Sequence, residues 1–341
     1  MSLTVDVPGF GRLTLPWGVG ISASDVISLA QSRLPGHWHG NKLLSSGQHQ
    51  LGTNEIITQQ TAVRGMVLAN YSEISAEEAC YIVHTAERGI SLEQLQRLVR
   101  FVSVMADRWF ETYGAHAGSR LRLSTFNLYH ANHWIIKPAT QGYHEQNGCS
   151  LVEVMSLDPR AQKPRWFVSH AWIDPRSMLR FWFDFFVFWQ KRLAYGEPVS
   201  EFLACLEQHA RVREMPGSTT YWVCAYANNQ HRVEDDIMCN PRSTSFYRAM
   251  QMCEGVLLVL DSAGTPFQRI WCCFEQSIAI EHREDGWSRH RLLLDVGATD
   301  MQGKAHVLTD GLAGVETRMI GIVGLFRKSV RERPFPAALL A

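Results

Sequence analysis

Trp271 and Glu275 lie one helical turn apart, just after the apolar run Gly255-Val256-Leu257-Leu258-Val259-Leu260-Asp261, which reads as a central strand of an α/β sheet. In open α/β sheets, ligands bind in the crevice at the carboxyl ends of the strands. A carboxylate carried there can stabilise positive charge that develops on a substrate. An indole at i−4 shares its helix face and offers a surface for an aromatic ring. Two further polar segments fall at strand ends: Ser169-His170-Ala171-Trp172, and the loop from Ala227-Asn228-Asn229-Gln230-His231 through Glu234-Asp235-Asp236. Ser169, His170, Trp172, Asn228, Asn229 and Trp271 are therefore candidate binding residues around a candidate catalytic Glu275. Plainer readings stay open beside these. Glu275 can be a surface residue pairing with Arg269, Trp271 a core residue, and His170 a backbone partner at a strand end. Asp261 can cap the next helix, and Cys272-Cys273 can be small buried hydrophobes. No metal site is expected, because His130 and His133 lack a carboxylate or cysteine at a recognised spacing.

The elements that must position these residues follow from periodicity. From residue 165 the chain alternates strand and helix. Strands are expected at 165–169, 221–226, 255–261 and 291–296, with helices at 201–209, 245–253 and from 266 to about 282. Continuous apolar strands separated by helices imply a parallel sheet covered on both faces. The start of the last helix has two readings. Thr265-Pro266 suits N-cap and N1, which would put Glu275 nearly three turns in, roughly 13 Å along at 1.5 Å per residue. Alternatively, residues 265–268 are loop and the helix begins near Arg269.

The first third reads as a separate α+β region. Leu3-Thr4-Val5-Asp6-Val7 and Gly11-Arg12-Leu13-Thr14-Leu15 alternate like a hairpin around Pro8-Gly9-Phe10. A short capped helix at 24–30 and extended pieces at 42–44 and 48–51 follow, a pattern that resembles a ubiquitin-like β-grasp. Ser75-x-x-Glu78 and Ser91-x-x-Gln94 look like capping boxes, the second opening a helix striped by Leu92, Leu95, Val99, Val102, Met105 and Trp109 up to Gly114. The segment 128–138 is expected to end at Pro138. Three regions result: 1–65 as a possible ubiquitin-like β-grasp, 66–160 as helices and connector, and 161–341 as the α/β domain.

Composition bounds the function classes. The 341 residues, 46% of them apolar, can bury a large core. Lys+Arg and Asp+Glu both number 33, so no basic excess points to nucleic acid or an anionic membrane. Eight scattered cysteines with no C-x-x-C pair, and an N-terminus without signal-peptide features, fit a reduced cytoplasmic setting. The aromatic run 178–189 is shorter than the roughly 20 residues of a membrane span and carries Arg180 and Asp184. It suits either a partner surface or an extra core helix.

Residues 165 to 300 resemble a TIR (Toll/interleukin-1 receptor) domain. Phe167-Val168-Ser169-His170 is similar to its first box and Trp271-Cys272-Cys273-Phe274-Glu275 to its W-C-x-x-E helix motif; the loop after Tyr226 stands where its BB loop would be. The S-H-x-W, A-N-N-Q-H and R-I-W-C-x-F-E segments are also similar to uncharacterised algal proteins, which assigns no function. The aromatic run before Gly196-Glu197-Pro198 and the second loop depart from the TIR pattern. The resemblance implies a flavodoxin-like fold, NAD as substrate rather than cofactor, and self-association into a homo-oligomer. It also implies cleavage of the nicotinamide–ribose bond with Glu275 as the essential carboxylate. Such cleavage builds oxocarbenium character on the ribose; Ser169, His170, Asn228 and Asn229 would then hold ribose or phosphate oxygens and Trp271 would stack on a base. Two rivals remain: a non-catalytic TIR-like signalling scaffold, and a nucleoside deoxyribosyltransferase-like enzyme, which also uses a glutamate.

Overall fold

A computed structural model describes residues 2–7, 11–34, 42–45, 51, 54–59, 66–69, 74, 79–113, 123–140, 143, 148–171, 197–232, 240–261, 264–280, 283–285, 288–290, 292–300, 302–309, 323 and 325–327. The turn 8–10, the capping box at 75–78, Gly114, Trp172, the aromatic run 178–189 and loop residues 233–236 lie outside the described residues.

Strict alternation in the first strand buries Leu3, Val5 and Val7 and turns Thr4 outward. β1 (Ser2–Val7) and β2 (Gly11–Pro16) form the antiparallel hairpin. α1 (Ala23–Gln31) packs Val26 and Ala30 onto it. Its capping box is made by Ser22 and Asp25, two residues ahead of the expected start. β3 (Lys42–Ser45) and β4 (Met66–Ala69) complete a sheet ordered β2-β1-β4-β3, with β1 and β4 parallel. The fourth strand of this sheet, Met66–Ala69, lies beyond residue 65. Of the extended piece expected at 48–51, Leu51 alone is among the described residues, and its amide bonds the Leu43 carbonyl.

The second sheet is ordered β12-β11-β8-β6-β7-β5. Its centre is four parallel strands: β6 (Trp166–His170), β7 (Thr220–Trp222), β8 (Gly255–Leu260) and β11 (Leu293–Thr299). Two antiparallel strands close the edges, β5 (Ile90–Ser91) on β7 and β12 (Ala305–Thr309) on β11. β9 (Arg283–Asp285) and β10 (Ser288–His290) pair separately. Every residue of β8 is buried, as an apolar run covered on both faces requires. On one face Phe167, Trp222 and Val256 meet α6 (Ser245–Met252) and α7 (Ile270–Ile280) through Ala249, Met250 and Ile278. On the other, Val168, Leu257 and Val259 meet α4 (Val199–Val212) through Phe202 and Leu206. Fully burying each such side chain stabilises by roughly 1.5–3 kcal/mol before chain entropy is counted. α2 (Leu92–Tyr113), opened by the Ser91/Gln94 box, and α3 (Leu151–Met155) share this core.

Three expectations change. The strand at 221–226 ends at Trp222, and the amides of Tyr226 and Ala227 turn back to the Val223 carbonyl to form α5 (Cys224–Ala227). Pro138 does not stop its helix: a π-turn over Asn132–Ile136 precedes it, and helix continues over Lys137–Thr140. Cys273 is exposed while Cys272 is buried.

Candidate functional site

The chain leaves β6 for β7 on one side and later returns to β8 on the other side of β6. Connections from neighbouring strands therefore diverge above the β6/β8 junction, the place where an open sheet leaves a crevice. After β8, Asp261 fixes the exit: Oδ1 accepts the Thr265 amide at 2.8 Å and Oδ2 the Thr265 hydroxyl at 2.5 Å. Gly264 supplies the left-handed residue of this turn, at φ +62°. A single 3₁₀ turn, Thr265–Gln268, follows; Arg269 is extended (φ −105°, ψ 125°), and α7 begins at Ile270. The break at Arg269 decides between the two helix starts. Glu275 stands five residues past the first residue of α7, roughly 7.5 Å along its axis.

Glu275 is only 6% exposed, so it is not a solvated surface residue. The Ser169 hydroxyl donates to its Oε2 at 2.5 Å across the β6/β8 junction. Burial pushes the carboxyl up, and the Ser169 hydrogen bond and the Arg269 charge offset only part of this, leaving it at about 8. At neutral pH in the ligand-free protein, Glu275 is therefore mostly protonated. Arg269 is half-buried, and its Nη1 is buried without a hydrogen-bond partner. Its charge also acts on His170, Cys224 and Cys272.

His170 follows Ser169 on a strand, so its side chain leaves by the opposite face. Its ring lies 5.4 Å from that of Phe202 on α4, and Nε2 is 3.9 Å from the Cys224 thiol. Burial lowers it to about 4, with the Arg269 charge adding to the shift and a contact to the Val168 carbonyl opposing it. His170 is thus a neutral imidazole at physiological pH. The Cys272 thiol donates to the His170 carbonyl at 3.5 Å. Burial, reinforced by nearby Glu275, raises Cys272 to about 12 and Cys224 further, so both stay thiols.

Asn229 ties its own loop, donating to the Gly148 carbonyl at 3.0 Å and accepting the His231 amide at 2.9 Å. Asn228 is buried with Oδ1 unpartnered at the end of α5. Trp271 is 37% exposed and packs beside Phe246 and Phe274, each ring 6.2 Å away. It sits on the flank of α7, because a residue four positions away is rotated by roughly 40° on a 3.6-residue helix. Arg269, Cys224 and Cys272 were not among the candidates. The signal for Arg269 was its place one turn and a half before Glu275, where the sequence offered it only as a surface ion-pair partner. Among the described residues, no group of three or more His, Cys, Asp or Glu could hold a metal ion. No helix there is long and apolar enough to cross a membrane. No family model, curated protein or solved structure matches this chain.

Proposed function

We propose that this chain hydrolyses the nicotinamide–ribose N-glycosidic bond of NAD, with Glu275 as the catalytic carboxylate of a flavodoxin-like, TIR-like domain. The observation that carries the reading is the buried Glu275 carboxyl, bonded to Ser169 where β6 and β8 meet at their carboxyl ends. Spatial order β7-β6-β8-β11 among the parallel strands supports a flavodoxin-like sheet, in which the equivalent junction holds the ligand. Likewise, order β2-β1-β4-β3 with a parallel centre supports a ubiquitin-like β-grasp at the N-terminus.

The chemistry follows from charge. The nicotinamide of NAD is cationic, and a cation beside Glu275 favours the ionised carboxylate over the protonated form. Ser169 engages Oε2 among the described residues, leaving Oε1 for ribose hydroxyls. As the carbon–nitrogen bond breaks, nicotinamide leaves with the bonding pair and positive charge passes to the ribose, where Glu275 stabilises it. Water adds to the same carbon and releases a proton, giving ADP-ribose. His170, held neutral, does not compete as a second cation.

A signalling scaffold is favoured by a different observation, the exposed Phe267 and Ile270 beside Trp271 at the start of α7, which suit self-association. Purified protein incubated with NAD, and separately with nucleosides and a free base, distinguishes the readings. Nicotinamide release that falls by about 10²–10³ in Glu275→Gln is expected. Release undiminished by that substitution removes Glu275 from the site. Base exchange points to the deoxyribosyltransferase-like rival, and assembly without turnover to the scaffold.

A further inference from the structure

Among the described residues, three guanidinium groups reach into the interior of this α/β region, and two are completed by the fold. Arg213 grips Asp295 with two nitrogens, and Arg88 bonds the Ile82 carbonyl and pairs with Glu153 at 3.2 Å. Among the described residues, Arg269 has no such partner. Its Nη1 is buried with no acceptor, a costly state for a charged donor. The carboxyl of Glu275 is near enough to feel its charge, yet among the described residues no ion pair joins them. A cation and an acid thus stand apart at one strand junction, each short of a partner. A ligand that satisfies both must carry an anionic group for Arg269 and hydroxyl donors for Glu275.

We propose that Arg269 is the specificity-determining residue of this site, taking the phosphate of a 5′-phosphorylated riboside whose ribose hydroxyls donate to Glu275. This rests on the reading that the site takes a riboside. Guanidinium suits the role because its planar fork matches phosphate oxygens. An unphosphorylated riboside would leave that nitrogen buried and unpaired, so the site selects nucleotides against nucleosides by omission as well as by attraction.

Calorimetric titration of the full chain with nicotinamide mononucleotide, nicotinamide riboside and inorganic phosphate tests this, run beside an assay of nicotinamide release. The mononucleotide is expected to bind at least roughly ten-fold more tightly than the riboside, the scale of one charge-assisted contact. Arg269→Gln should erase that preference, Arg269→Lys should keep part of it, and phosphate alone should bind weakly. Equal binding of mononucleotide and riboside, no binding of the mononucleotide, or a preference that survives Arg269→Gln overturns the proposal. Phosphate binding as tightly as the mononucleotide overturns it too, by making the site one for a bare anion. The wild-type comparison needs no variant, so it decides even if Arg269→Gln fails to fold. Preference without nicotinamide release keeps the role of Arg269 and removes hydrolysis; release without preference does the reverse.

Discussion

Asp295 and Glu275 are both buried acids on the same sheet and its helices, and they end in opposite states. Asp295, in β11, is fully buried. It accepts Arg213 Nη2 at 2.6 Å and Nε at 2.8 Å, and lies 3.0 Å from His209 Nε2. His209 Nδ1 in turn meets the Tyr221 hydroxyl at 3.1 Å, and the Trp166 ring packs edge-on against the imidazole with centroids 4.3 Å apart. Burial raises Asp295, but the hydrogen bonds from His209 and Arg213 and their charge outweigh it, so the carboxyl stays below its ordinary value. Among the described residues, Glu275 has one hydroxyl donor and a cation that does not touch it, and burial wins. Desolvation acts on both; the number of donors separates them. One cluster is completed by the chain; the other holds a buried acid with one hydroxyl donor and a guanidinium nitrogen with no acceptor.

The largest expected effect tests the completed cluster. Asp295→Ala should cost about 3–5 kcal/mol, because it removes the carboxylate that the buried Arg213 guanidinium and His209 both engage. Chemical denaturation measures this, and a loss under about 1 kcal/mol would mean the cluster relaxes and the contrast is overstated. Next comes pH. Between 4.5 and about 8 the folded chain holds a proton on Glu275 that the unfolded chain has released, so this group makes stability fall as pH rises across that window and then level off. The drop is on the order of a few kcal/mol, and Glu275→Gln should abolish it. Asp295 has the opposite sign: its contribution is intact at neutral pH and is lost as pH falls through its lowered folded value, below 3.8. Stability curves of wild type and Glu275→Gln that run parallel from pH 5 to 9 would break the comparison. The smallest effect concerns the single donor. Ser169→Ala should cost about 1 kcal/mol at a pH where Glu275 is ionised and move its titration midpoint upward, read by NMR of the carboxyl. A midpoint that stays in place would show that the hydroxyl does not tune the acid.

Some elements were legible because their causes are local. Alternation buries Leu3, Val5 and Val7; Ser91 and Gln94 cap α2; and the unbroken apolar run of β8 is buried on both faces. The edge strands β5 and β12 were not foreseen. Ile90 and Ser91 count as strand only because β7 offers an open edge to pair with, and so short a segment carries no period of its own. β4 escaped for a related reason, since its strand character comes from lying between β1 and β3, distant in sequence. The start of α7 was undecidable locally. Pro266 suits a helix start, but Asp261 and Gly264 shape a turn that breaks at Arg269.

By itself the sequence determined a parallel, two-face-buried sheet and a glutamate just past the carboxyl end of a central strand. Both follow from residue type and spacing, which act over a few positions. The tertiary structure alone decided what that glutamate is. Its hydrogen-bond donor, Ser169, is 106 residues away; His170, one residue on, is sent to the other face. Arg269 is close in sequence, yet whether it pairs with Glu275 or stands apart depends on how the turn after β8 is held. Protonation depends on burial and on donors gathered from distant segments, and neither can be counted until the chain has folded.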